Sequence, residues 1–325
     1  MDSEMTASIA FFASARSGLG HLQRIGNIGA ALRACGYDGH LSLLCNAEAD
    51  AVDLMTFDRV IVTPREQMSK VAGESGTTLA VSDMMIVPGI KHVGKHRVLI
   101  LRETPAERLH RFFGGESCWN HVLVPNPSDH WRPPVDLMPP ERVHPVGWIA
   151  RRNCPRQRND ERIGVLLATG GGGTAETRAS LYPMLSQILR LARGRTRFLV
   201  HQAVGPRARG EVLDEADALL DPGSRLDLLF RRADVVISTA GYNSVLELAG
   251  TDTPTLLVAI PRSYDDQQAR VRQWGPRLGH GVEPGEEQAA ANWLAEHVAR
   301  PKRRSPVDLG PDGSVAAAKI LCRLA

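Results

Sequence analysis

Three turns in this chain combine glycine with side chains that could move a proton or hold an anion. The first, Ser17-Gly18-Leu19-Gly20-His21, ends in an imidazole, whose ordinary titration lies near neutrality. The second is Thr169-Gly170-Gly171-Gly172-Gly173-Thr174, and the third is Ser238-Thr239-Ala240-Gly241-Tyr242-Asn243-Ser244. Each follows a short apolar run and precedes a stretch of helical period. Each could therefore turn backbone amides and a helix N-terminus toward an anion.

Spacing narrows the ligand. A dinucleotide fingerprint starting at Gly18 would need its third glycine where Gln23 stands. Gly170-x-Gly172-x-x-Ala175 has the right form, but the next apolar run ends in His201-Gln202, without the carboxylate that holds a ribose in such sites. No G-x-x-x-x-G-K-[ST] occurs, which speaks against a P-loop enzyme. At the third turn the amides of residues 242–244 and the Ser244 hydroxyl could hold a diphosphate, with Glu247 one helical turn on and within reach of a ribose. Spacing alone allows an Asn/Ser-capped turn with a solvated Glu equally well. His21 could be a general base, or a residue that caps or packs a helix start. Glu103, in Leu101-Arg102-Glu103-Thr104, and Asp83, after Leu79–Ser82, stand at strand ends as further candidates for base, acceptor ligand or helix cap. Arg262 could meet a diphosphate or be a solvated loop charge.

The elements that would position these residues alternate. Strands are expected at 8–13, 41–45, 60–63, 78–82, 97–101 and 121–124, with helices at 21–34 and 105–113. Ala150 to about Arg162 is poor in apolar residues and rich in Arg, Asn and Pro, and the domain boundary is placed there. Alternation resumes with strands at 163–168, 197–201, 234–238 and 255–259. Helices are expected at 176–192, 209–220, 243–249, 265–274, 287–299 and 314–324. The 325 residues, 43% hydrophobic, suffice for two cores. The expected organisation is an α/β chain of two Rossmann-like domains, 1–150 and 151–325, with parallel sheets facing across a cleft. The last helix has the option of packing back on the first domain.

The segment from Phe230 to Ala249, with its continuation through Pro254–Pro261 and Asp265-Asp266-Gln267-Gln268-Ala269, resembles the donor-binding region of MurG-like glycosyltransferases of family 28, which have the GT-B fold. The resemblance implies donor contacts from Gly241, Tyr242, Asn243 and Ser244. It implies a ribose contact from Glu247 and sugar-hydroxyl contacts from Asp266, Gln267 and Gln268. Ser17 to Arg24 looks like the family's G-x-G-H loop, so Gly20 would face the reacting sugar and His21 would act as base. Thr169, Gly170 and Gly171 take the place of the glycine loop that opens the second domain. The chain is short for the family, and its first loop has one glycine fewer than the longest version. The same stretch, Gly18-Leu19-Gly20-His21-Leu22-Gln23-Arg24, is also similar to the G-x-G-H-x-x-R loop of PseG-type nucleotide-sugar hydrolases.

The expected activity is therefore transfer of a sugar from a nucleoside-diphosphate sugar to a small soluble acceptor. The alternatives are a nucleotide-sugar hydrolase and a non-catalytic nucleotide-sugar-binding protein. No D-x-D stands in a suitable loop, so neither a metal nor another cofactor is expected. A net charge of +3 is too small to argue for nucleic acid, and Arg151–Arg158 reads as a solvated linker. Five isolated cysteines, at 35, 45, 118, 154 and 322, read as reduced and mostly buried thiols of a cytoplasmic protein. No apolar run is long enough to span a membrane. Leu109, Phe112 and Phe113 beside Arg108 and Arg111 fit a core-packed helix better than a membrane contact. A homodimer is compatible with all of this.

Overall fold

A computed structural model describes residues 7–14, 19–48, 52–114, 118–151, 162–169, 175–205, 212–260 and 265–325. Ser17, Gly18, Gly170–Thr174, Arg262 and the basic run beyond Arg151 lie outside the described residues. The chain divides into two compact units, residues 1–151 with 310–325, and residues 152–309.

In the first unit the described residues form β1 (Ser8–Ala13), α1 (Gly20–Ala34), β2 (His40–Cys45), β3 (Arg59–Val62), α2 (Met68–Glu74), β4 (Leu79–Asp83), β5 (His96–Ile100), α3 (Ala106–Phe113), β6 (His121–Val124) and β7 (Val143–Pro145). The strands make one parallel sheet in the order β3-β2-β1-β4-β5-β6-β7. Parallel strands are covered on both faces, so β1 is buried at every position and reads as an unbroken apolar run. Leu22, Ile25, Ile28 and Leu32 of α1 recur at helical spacing and close one face, together with Ala317, Ala318 and Leu321 of the C-terminal helix α9 (Gly313–Leu324). Met68 and Ala72 of α2, and Leu109 and Phe112 of α3, close the other. Leu109 and Phe112 are thus core residues.

The second unit comprises β8 (Ile163–Ala168), α4 (Ala175–Arg193), β9 (Val200–Ala203), β10 (Ala218–Leu220), α5 (Leu226–Arg232), β11 (Ala233–Thr239), α6 (Tyr242–Ala249), β12 (Thr255–Val258), α7 (Gln267–Leu278), β13 (Gly279–Val282) and α8 (Glu287–Ala299). Its sheet is also parallel, in the order β10-β9-β8-β11-β12-β13. Leu181, Leu185 and Ile188 of α4, with Ala290 and Leu294 of α8, cover one face.

Two expectations are corrected. Residues 209–220 are not a helix where described: the segment ends in the edge strand β10. Its local polar groups bond across to β9 instead of along a helix. Asp217 donates its amide to Val200 O (2.8 Å) and accepts the Val200 amide on its carboxylate (2.7 Å), and the Leu213 amide donates to Gln202 Oε1 (2.9 Å). The cysteines are free, but of the four described only Cys45 is buried. Cys35 follows the last turn of α1 and Cys322 lies on α9, where both are exposed.

The C-terminal helix reaches the first unit through a close backbone crossing. The Gly313 amide donates to Trp148 O (3.1 Å), and a Cβ on Gly313 would stand 2.3 Å from the Gly147 carbonyl oxygen and 2.7 Å from its carbon. Backbone cannot swing aside as a side chain can. Gly313→Ala should therefore cost about 2–3 kcal/mol in urea unfolding. Gly73→Ala, on an exposed face of α2 with nothing within 4 Å of the new Cβ, should stabilise by up to about 1 kcal/mol. Equal stabilities for the two variants would show that α9 does not need this crossing.

Candidate active site

In an open parallel sheet, ligands collect beyond the carboxyl ends of the strands, at the point where the strand order reverses. In the first unit that point lies between β1 and β4, whose last residues, Ala13 and Asp83, are register partners. Three side chains converge beside it. Gly20 opens α1 and His21 follows in the first turn, with its side chain 25% exposed. Arg24, on the same helix face three residues on, is buried and grips Asp83 as a fork: Nε donates to Oδ2 (3.0 Å) and Nη2 to Oδ1 (2.7 Å). His21 Nδ1 lies 3.3 Å from Arg24 Nη2 and 3.5 Å from Asp83 Oδ2. Full burial alone would push the Asp83 carboxyl up. The Arg24 guanidinium and the His21 imidazole outweigh burial and hold it below the usual carboxylate range. The next residue, Met84, is in the left-handed region (φ 53°), a conformation uncommon for a side chain of this size and frequent near functional sites.

Glu103 follows β5 along the same sheet edge. Its Oε1 accepts from His130 Nε2 (3.1 Å), and the His130 ring packs edge-on against the largely buried Trp148, 4.9 Å between centroids. Glu103 is therefore held by a histidine 27 positions away, and neither His130 nor Trp148 stood out in the sequence.

The second unit repeats the arrangement. Its reversal point lies between β8 and β11, where Ala168 and Ser238 are partners. Thr169 follows β8 directly. Gly241 is the N-cap of α6, so the cap residue itself has no side chain to offer; Asn243 and Ser244 lie inside the first turn. Gly241 has an ordinary φ of −65°, and a Cβ there would meet nothing closer than Ser244 Oγ at 3.7 Å. Among the described residues, neither backbone conformation nor packing requires glycine at this position. Tyr242 is buried, and Glu247, one turn along α6, is 7% exposed.

The three residues around the start of α7 play different parts. Asp266 caps α7, accepting the Ala269 amide on Oδ1 (2.9 Å), and Gln268 is exposed. Gln267 is buried; its Oε1 accepts the Ile260 amide (3.1 Å) and its Nε2 donates to Asp265 Oδ2 (3.3 Å). Arg270, which nothing in the sequence marked, reaches both ligand-side loops, at Ala240 O and Asp265 Oδ1 (2.8 Å each).

Solved structures share this architecture along nearly the whole chain. The glycotransferase of kitacinnamycin aligns over 98% of this chain and 99% of its own, at 15% identity and TM-score 0.64. The spinosyn rhamnosyltransferase SpnG complexed with thymidine diphosphate aligns over 98% and 95%, at 16% and 0.56. The UDP-GlcNAc 2-epimerase of Methanocaldococcus jannaschii in complex with UDP-GlcNAc and UDP aligns over 97% and 99%, at 10% and 0.63. Identities this low establish the fold alone, which is GT-B: two Rossmann-like parallel-sheet units in one chain. No family model matches the chain, and no curated protein matches its sequence.

Asp83→Asn leaves a buried cation without its charge partner and should destabilise the protein by about 3 kcal/mol. The folded carboxyl lies below its unfolded value of about 3.9, so its contribution is present at neutral pH and is lost as pH falls from about 4 through the folded value. Urea unfolding of the wild type should weaken over that range, and the variant should lack that part of the slope. Parallel stability curves for the two proteins down to about pH 2 would exclude a contribution from the ion pair.

Proposed function

We propose that this protein is a glycosyltransferase that moves a sugar from a nucleoside-diphosphate sugar to a small-molecule acceptor. The observation that carries the reading is the turn at Gly241: a glycine that neither its backbone angles nor any described neighbour requires, at the N-cap of a helix and at the strand-order reversal of a Rossmann-like unit. Such a helix end binds a diphosphate through its amides and stabilises the negative charge that grows on it as the sugar leaves. Two of the solved neighbours are sugar transferases by name, and SpnG and the epimerase hold dTDP or UDP. The likeness of Phe230–Ala269 to the family 28 donor site supports the finer reading, with Glu247 at the ribose and Asp266 and Gln268 at the sugar. Because amide dipoles meet the departing charge, the reaction calls for no metal and no other cofactor.

In the first unit His21 takes the acceptor's proton on Nε2, in the tautomer whose Nδ1–H is turned to the Asp83 carboxylate. Asp83, the carboxylate beside Nδ1, favours the imidazolium that results. Hydrolysis is the second reading. His21, Arg24 and Asp83 form a set that could activate water as readily as a hydroxyl, and rapid donor cleavage without any acceptor would favour it.

The test is a thermal-shift screen against UDP, GDP, dTDP, ADP and CDP, since a ligand that binds only the folded state raises the melting temperature. At least one should bind, and Gly241→Val should abolish the shift while leaving the melting temperature of the free protein within a few degrees. No shift with any of the five would sink the proposal. With a donor in hand, His21→Ala should lower turnover at least about tenfold with nucleotide affinity retained; near-normal turnover would remove His21 from the chemistry.

A further inference from the structure

We propose that Arg270 is a positioning residue for the anion-binding turn of the second unit, acting through the Ala240–Gly241 peptide. The inference rests on the donor-site reading above and extends it to a residue that does not itself touch the ligand. Arg270 lies on the first turns of α7, 8% exposed, 30 residues away from the carbonyl it holds. Its Nη1 donates to Ala240 O and its Nη2 to Asp265 Oδ1, both at 2.8 Å. The Ala240 amide in turn donates to Val258 O (2.8 Å), so this residue is fastened on both sides.

A peptide unit is planar and trans, so its C=O and the following N–H point in opposite directions. With the Ala240 carbonyl drawn toward α7, the Gly241 N–H is turned away from α7, at the N-cap of α6. A cation on the carbonyl oxygen also polarises the same peptide and strengthens its N–H as a donor. The charge of Arg270 is thus delivered to the front of α6 through one peptide group. Asp265 balances that charge where it is buried. Gln267, three residues earlier on the same helix face, secures the neighbouring loop by accepting the Ile260 amide. One face of α7 therefore sets the backbone after both β11 and β12.

The experiment compares wild type, Arg270→Met and Arg270→Lys by two readouts. One is the dissociation constant for UDP and dTDP. The other is hydrogen exchange of the amides at residues 241–243 in the nucleotide-free protein. Arg270→Met should weaken nucleotide binding at least about tenfold and speed exchange at 241–243. Arg270→Lys, which keeps the charge but can reach only one of the two acceptors, should fall between. A residue that merely stabilised the fold would lower the melting temperature yet leave affinity and local exchange unchanged in the protein that remains folded. If Arg270→Met binds nucleotide as wild type does, the proposal is wrong. If wild type binds neither UDP nor dTDP, the dissociation constant is measured for whichever of GDP, ADP and CDP it binds; if it binds none of the five, the donor-site reading fails by itself and exchange decides, with unchanged protection at 241–243 overturning the positioning role and faster exchange upholding it. If Arg270→Met does not fold, Arg270→Lys carries both measurements with the same criteria.

Discussion

Every strand pairing among the described residues of both sheets is parallel, and much else follows from that constraint. Parallel strands deliver their carboxyl ends to one edge, and the helices that return the chain begin there with their amides unsatisfied. Where strand order reverses, two such turns diverge and leave a crevice. In the first unit the crevice lies between Ala13 and Asp83, and in the second between Ala168 and Ser238. Gly20, His21 and Gly241 stand beside these two points, at the starts of the helices that follow β1 and β11.

Each unit strengthens that edge with a buried arginine. Arg24 reaches from the helix after β1 to the end of β4, and Arg270 reaches from the helix after β12 to the turn after β11. An ion pair out of water returns little net stability, because desolvation offsets most of the attraction. Misplacing one partner is costly, however, since the other is then buried and unpaired. Such pairs therefore fix geometry more than they add stability. This suits positions where a histidine ring or a peptide plane must point one way.

The fold was legible because its strands are covered on both faces and so appear as compact apolar runs between helices of clear period. β1 and β11 are examples. β10 was not legible: it is a three-residue edge strand with Leu219 half exposed, held by reciprocal bonds between Asp217 and Val200 that leave no periodic trace. The turns at Gly20–His21 and Gly241 were visible as composition. Their supports were not, because Arg24 meets Asp83 across 59 residues and Glu103 meets His130 across 27. Those partners are chosen by strand order, which composition does not encode. Gln267 was singled out as a ligand contact from its place in the sequence, but its bonds to Ile260 and Asp265 were not legible there.

Helix α6 has only eight residues, too short to be stable alone, so its direction must be imposed from both ends. Arg270 acts at the front through Ala240. At the back, Arg304 donates to Leu248 O and Thr253 O, and the Val307 amide donates to Ala249 O (2.8 Å). Burial lowers the Arg304 pKa to about 10, which leaves it a cation at neutral pH. A cation at the C-terminal carbonyls complements the helix dipole, whose positive end is the turn at Gly241. Residues 304–307 follow α8 within the second unit, so the stretch after α8 is bonded to the back of the helix whose front is the candidate anion site.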